Sequence, residues 1–278
     1  MTDVQGRTAF ITGGANGIGL GIARSLARAG VKLALADIDA EALARAKAEL
    51  GAVTVVETYV LDVRDRQAYA AAADAAESAL GPVSLLFNNA GIAGSIPAHR
   101  ITYDQWDWAL GINLNGPING VQTFLPRMME RGQGGHIVNT ASGAGLVAAG
   151  SGLMYTTTKF GVVGLSEALN LELQSAGIGV SVLCPGPVAT DIVRRSAEAL
   201  PTQGMTLSPE QQAAGDQRRA MATQFLAQGV PIDTVGDMVL DAIRNNRFYI
   251  LTDRLVADAI KARTEAMLGA LPAEPALA

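Results

Sequence analysis

Thr8-Ala9-Phe10-Ile11-Thr12-Gly13-Gly14-Ala15-Asn16-Gly17-Ile18-Gly19 decides the fold. The first five residues are apolar or β-branched, the pattern of a short buried strand. Glycines then turn the chain into Ile18 to Ala29, which reads as a helix. Glycine allows a tight turn and close backbone approach to a diphosphate, which the free N–H groups and dipole of a helix start would attract. An ordinary strand-to-helix turn uses the same residues, so the loop gains weight only from its context. Gly13, Asn16, Gly17, Ile18 and Gly19 are its candidate cofactor residues.

That context is a regular alternation. Strand-like runs at Val31 to Ala36, Val53 to Leu61, Ser84 to Asn88, His136 to Thr140, Gly179 to Cys184 and Phe248 to Thr252 are separated by helix-like runs. These are Ala40 to Leu50 with Asp39 as N-cap, Arg66 to Leu80, a stretch from the capping box Thr102-Tyr103-Asp104-Gln105 past Asn113 to Glu130, and Leu153 to Ala176. Such alternation predicts an α/β protein, a doubly wound parallel sheet with helices on both faces. Residues 1–278 read as a single NAD-binding catalytic domain. Segment 190–231 has no strand signal and is expected to be a substrate lid, and 253–278 a helical tail.

Composition narrows the partners. Hydrophobic residues are 49% of the chain, charged residues 17%, and the net charge is −5 without any block of Lys or Arg. Nucleic acid and anionic membrane are therefore not expected. The one cysteine, Cys184, excludes an intrachain disulfide, and its strand-like setting points to a buried thiol. Two histidines, His99 and His136, make a His-rich zinc site an unpromising reading. Met1 to Arg7 lacks a signal-peptide pattern, so the expected location is the cytoplasm.

Asp37 closes the second strand about 20 residues after the glycine loop, where a carboxylate meets the ribose hydroxyls of NAD; it could equally start a turn. Ile38 stands beside it. A carboxylate here repels a ribose 2′-phosphate, and Asn16 brings no positive charge, so the residues favour NAD over NADP. Asp62-Val63 ends the third strand and is placed either against the adenine or as a cap. Tyr155 and Lys159 are four apart on a predicted helix and share a face; Ser142 follows the fifth strand. An ammonium next to a phenol favours the phenolate, and a serine hydroxyl can hold the substrate oxygen during hydride transfer. Tyr/Lys pairs one turn apart are also common surface decoration.

Thr12-Gly13-X-X-X-Gly17-Ile18-Gly19, Asn88-Asn89-Ala90-Gly91, Asn113, Ser142, Tyr155-X-X-X-Lys159 and Pro185-Gly186, in this order, resemble the short-chain dehydrogenase/reductase superfamily. The resemblance implies a Rossmann-like sheet of seven strands and a relay of Asn113, Ser142, Tyr155 and Lys159. In it Asn113 places a water through a kink in its helix, and Lys159 also holds the nicotinamide ribose. Asn89, Ala90 and Gly91 would pass close to the cofactor, and Pro185, Gly186, Val188 and Thr190 would lie along the nicotinamide amide. It further implies a homodimer or homotetramer, with the two long helices pairing across a two-fold axis.

The stretches Thr102 to Met128 and Phe248 to Thr252 resemble the members that oxidise benzylic alcohols of lignin-derived aryl ethers. The expected partner is a bulky hydrophobic or aromatic secondary alcohol, or its ketone. Apolar residues of segment 190–231 (Ile192, Val193, Leu200, Met205, Leu207, Met221, Phe225, Leu226) would line its pocket or pack the lid onto the core. Arg194-Arg195 meets an anionic substrate or forms a solvated helix face. The competing functions are an NADP-linked ketone reductase and a non-catalytic NAD-binding sensor or scaffold.

Overall fold

Strands β1 (Thr8–Thr12), β2 (Lys32–Asp37), β3 (Val56–Val60), β4 (Val83–Asn88), β5 (Gly135–Thr140), β6 (Ile178–Cys184) and β7 (Tyr249–Leu251) form one parallel sheet ordered β3-β2-β1-β4-β5-β6-β7. This computed structural model describes residues 2–148, 150–202 and 208–272. Helices α1 (Gly17–Arg28), α2 (Ala40–Leu50), α3 (Arg66–Leu80), α4 (Tyr103–Leu110), α5 (Gly116–Arg131), α6 (Leu153–Glu172), α7 (Ile192–Ala199), α8 (Pro209–Ala227), α9 (Ile232–Asn245) and α10 (Ala257–Gly269) accompany it.

Period-2 alternation divides the core in two. Ala9 and Ile11 of β1 pack with α1, α2 and α9 on one face. Phe10 between them packs on the other face with Tyr69 of α3 and Phe124 of α5. Parallel strands covered on both sides explain why the strand runs are nearly continuously apolar. Strand order reverses between β1 and β4, and the carboxyl ends of these two strands open the crevice in which such sheets bind ligands.

The expected caps are formed. Asp39 accepts from Ala42 N at 2.9 Å, and Thr102 and Gln105 complete the capping box of α4. Some boundaries move. β3 starts at Val56 rather than Val53, because Val53 and Thr54 donate back to Leu50 O and extend the end of α2 as a turn. α6 stops at Glu172, with Leu173 donating to Leu169 O. The helix expected from Thr102 to Glu130 is two helices joined by a π-helical turn, Gly111–Asn115.

Segment 190–231 contains α7 and α8 and ends in a parallel bridge between Val188 and Val230. Packing of its apolar residues onto the core fails for α8, none of whose residues is buried; Met221 and Phe225 are more than half exposed. Met205 and Leu207 lie outside the described residues, as does 273–278 of the tail. Among the described residues, no helix is long and apolar enough to cross a membrane.

Candidate active site

A cleft of about 1110 Å³ runs along the carboxyl ends of β1, β2, β4, β5 and β6. Gly13, Asn16, Gly17, Ile18, Asp37, Ile38, Asp62, Val63, Asn89, Ala90, Gly91, Tyr155, Lys159, Pro185 and Thr190 line it, which gathers most of the residues picked out in the sequence.

At its head, the chain leaves β1 through Gly13 (φ +62°) and enters α1 at Gly17 (φ +51°), the left-handed region that favours glycine. Gly19 lies behind this turn, not in the cleft: a Cβ there would stand 2.1 Å from Gly13 O. Thr12 Oγ1 accepts from Asn89 N at 3.0 Å and Ala90 N at 3.1 Å, which ties the loop after β4 to the end of β1. Asn89 Nδ2 donates to Thr12 O and Gly13 O, while Asn89 Oδ1 accepts from Thr140 Oγ1.

The head of the cleft fits a dinucleotide. α1 offers N-terminal N–H groups, and the loop holds no acidic side chain that would repel a phosphate. Asn16 Nδ2 is buried without a hydrogen-bond partner among the described residues, a donor still to be satisfied. Asp37 is 6% exposed at the end of β2, its carboxylate held by Ala15 N (3.3 Å) and Asp39 N (3.2 Å). Asp62 is not the helix cap, because Asp65 caps α3; Asp62 bonds Arg64, whose guanidinium holds its carboxyl below the usual carboxylate range.

At the other end stand Tyr155 and Lys159; Ser142, which hydrogen-bonds Tyr155, does not itself line the cleft. Ser142 follows β5 directly, and its Oγ accepts from Ala144 N at 3.1 Å. Burial pushes the Tyr155 phenol up, and a hydrogen bond with Ser142 counts the other way. Lys159, 4% exposed, donates from Nζ to Thr140 O at 2.9 Å and lies 5.7 Å from the centre of the Tyr155 ring. Burial lowers its ammonium to about 8. Cys184 is a neutral buried thiol, raised by burial to about 12.

Asn113 sits in the π-helical turn, fully buried, and does not itself line the cleft. Its Oδ1 accepts from Ile92 N at 2.8 Å; its Nδ2 donates to Ile92 O at 3.0 Å and Thr158 Oγ1 at 3.2 Å. Both amide hydrogens are thus engaged, and Oδ1 accepts one bond. Gly91 brings the two together: a Cβ at this position would meet Asn113 Oδ1 at 3.3 Å and Lys159 Nζ at 3.4 Å.

Gly186 and Val188 do not line the cleft. Gly186 packs against Asp253, and the Val188 side chain turns into the core below α9. Sequence reasoning also missed Ile92, whereas Trp108 and Ile112 fall inside the stretch Thr102 to Met128 that it singled out. Ile92, Trp108 and Ile112 form an apolar wall near Tyr155, and Trp108 packs with Met154 and Leu200 behind it. Arg195, read as a member of a solvated face or an anion contact, instead crosses the cleft to Asp37 and Asp39. Among the described residues, no group of His, Cys, Asp and Glu is placed to hold a metal ion.

A family model described as short chain dehydrogenase matches residues 7–201. The C alpha-dehydrogenase of Sphingobium sp. (strain NBRC 103272 / SYK-6) is 35% identical over 270 residues, covering 96% of this chain and 87% of the relative. A short chain dehydrogenase/reductase from Burkholderia phymatum, solved in complex with NAD, superposes with a TM-score of 0.88 at 34% identity and covers 99% of both chains. The apo form of LigO from Sphingobium sp. strain SYK-6 superposes at 0.81 with 40% identity, over 97% of this chain and 90% of the other.

Proposed function

The chain belongs to the short chain dehydrogenase family, and from this premise we propose that it interconverts a bulky hydrophobic or aromatic secondary alcohol and its ketone with NAD. The observation that carries the reading is one cleft with Asp37 at its head and Tyr155 and Lys159 at its other end, Tyr155 being hydrogen-bonded to Ser142, which is not itself in the lining. NAD, when bound, accepts the hydride from the alcohol carbon. Gly13, Asn16, Gly17, Ile18 and the main chain of Asn89 to Gly91 would hold the dinucleotide, with Asp37 on the adenosine ribose.

The protein's own residues handle the proton. Ser142 holds the substrate oxygen. Tyr155 takes the hydroxyl proton as the carbon–oxygen double bond forms, and Lys159 favours the phenolate that does so. Thr140 O fixes the ammonium. Asn113 acts through its anchored turn. Preference for NAD rests on the Asp37 carboxylate, and it agrees with the NAD complex of the Burkholderia relative.

The substrate half rests on the wall of Ile92, Trp108 and Ile112 and on the C alpha-dehydrogenase among the relatives. Residues 190–202 close over this wall as a lid: Ser196 Oγ accepts from Ala93 N at 2.8 Å, and Gln105 Nε2 donates to Pro201 O. The protein assembles as a homodimer or homotetramer through α5 and α6, which light scattering would check; a monomer contradicts it. The deciding experiment incubates the protein with NAD or NADP and a panel of alcohols, following absorbance of the reduced cofactor. Reduction of NAD by 1-arylpropanols in preference to 2-propanol is expected. Preference for NADP would overturn the reading of Asp37; preference for 2-propanol would overturn the reading of the wall.

A further inference from the structure

Arg194 and Arg195 are neighbours on α7 with different surroundings. The Arg194 guanidinium is occupied by its own helix, bonding Glu198 at 3.0 and 3.2 Å and Asp191 at 3.2 Å. Arg195 lies across the mouth of the cleft. Its Nη2 is 3.5 Å from Asp37 Oδ1 and 3.6 Å from Asp39 Oδ2, longer than the 2.7–2.9 Å of a good charge-assisted hydrogen bond. Its guanidinium is therefore a loosely held cation, with 31% of the side chain exposed.

Where α7 begins places this cation beside the glycine loop. The Thr190 methyl stands 3.2 Å from the position of a Cβ on Gly17. Arg195 N donates to Asp191 O at 3.0 Å, so Arg195 follows that contact by one helical turn. The segment Thr190 to Arg195 thus runs from the glycine loop to Asp37. The loop, Thr12 to Gly19, contains no Lys or Arg. Of the other cations of the cleft, Arg64 bonds Asp62 and Lys159 bonds Thr140 O at the far end, while Arg45, 4.0 Å from Glu41, is loosely held too but stands on α2 and not on the segment that meets Gly17.

We propose that Arg195 is a cofactor-binding residue carried by the lid, which gives up Asp37 and Asp39 for the diphosphate when a dinucleotide binds. The exchange serves both partners. A ribose diol needs acceptor oxygens of Asp37 that no cation competes for, and a diphosphate needs a counter-charge that the glycine loop lacks. It also draws α7 over the bound dinucleotide. The inference rests on the dinucleotide reading above.

The test is calorimetric and needs no turnover. ADP-ribose carries the diphosphate, and adenosine, measured by competition against it, does not. Arg195→Gln should weaken ADP-ribose binding about tenfold, the loss of one charge-assisted contact, and leave adenosine binding unchanged or tighter. Arg194→Gln should change neither. Unchanged or tighter ADP-ribose binding in Arg195→Gln would overturn the proposal and leave the residue a mere competitor at Asp37. Equal losses for both ligands would overturn it as a general structural defect. A wild-type protein that binds neither would overturn the dinucleotide reading itself, whereas normal wild-type binding with an indifferent variant overturns only the role of Arg195.

Discussion

Lys159→Met separates the cost of a buried ammonium from its use. The side chain is 4% exposed, and burial lowers its ammonium from 10.5 in water to about 8. The difference corresponds to about 3 kcal/mol of stability. Since the folded state holds the proton less tightly than the unfolded chain, the unfolded chain binds more protons between pH 8 and 10.5. The contribution of Lys159 to wild-type stability therefore rises with pH through that window. Methionine keeps the stem and removes the charge, but strands Thr140 O, which accepts from Nζ at 2.9 Å; an orphaned buried carbonyl costs about 1–3 kcal/mol. At pH 7 the two effects oppose each other and the variant should be about as stable as wild type. By pH 10 the wild type should be more stable than the variant by about 2–3 kcal/mol. The Cys184 thiol and the Tyr155 phenol, both raised by burial, make stability fall with pH at the alkaline end in both proteins and drop out of the difference. Urea unfolding followed by circular dichroism, at fixed protein concentration and without cofactor, measures both proteins from pH 7 to 10. A variant that runs parallel to wild type across this range would refute the reasoning, because the ammonium would then be solvated. The variant should also lose turnover.

Three further outcomes follow from the same geometry. Tyr155→Phe should reduce turnover by about 10²–10⁴-fold, the range of a general acid/base, with NAD binding within about twofold of wild type by calorimetry; unchanged turnover would contradict the assignment. Asp37→Ser removes the carboxylate that would face a 2′-phosphate and should shift the kcat/KM ratio toward NADP by at least about tenfold, a modest share of the repulsion between charges 4 Å apart; a fixed ratio would show that discrimination lies elsewhere. Gly19→Ala places a methyl 2.1 Å from Gly13 O, so the loop must shift. A loss of about 1–3 kcal/mol in thermal unfolding and weaker NAD binding are expected, and an unchanged Tm with intact binding would contradict the close packing behind the loop.

The fold was legible because parallel strands buried on both faces announce themselves as short apolar runs with breakers between them. β1, β4 and β5 are within a residue or two of their expected ends for that reason. β3 was overextended: Val53 and Val55 look like strand residues, but hydrogen bonding by Val53 and Thr54 to Leu50 O completes a turn first, and propensity yields to that. The π-helical turn at Gly111–Asn115 carries no signature of its own, because i→i+5 bonding uses the same residues as an ordinary helix. Its cause is tertiary: Asn113 is tied to Ile92 and Thr158, on either side of it.

The candidate site divides along the same line. Residues at strand ends were readable, since a fixed sheet sets where Asp37, Asn89, Ser142 and Pro185 emerge and the four-residue spacing sets Tyr155 over Lys159. Arg195 was not readable, because its partner is 158 positions away in sequence and the two meet only when α7 crosses the sheet's edge. Two arginines in a polar helix look alike until one asks which carboxylates each can reach. Glu198 and Asp191 lie at helical spacing from Arg194, so a local pairing was available to it. The same two carboxylates lie at helical spacing from Arg195 as well, but Arg194 takes them, and Arg195 meets Asp37 and Asp39 across the cleft instead. The chemistry common to this fold is thus written at the sheet, where register makes it legible. What α7 adds at the cleft is written in contacts between segments that only folding brings together.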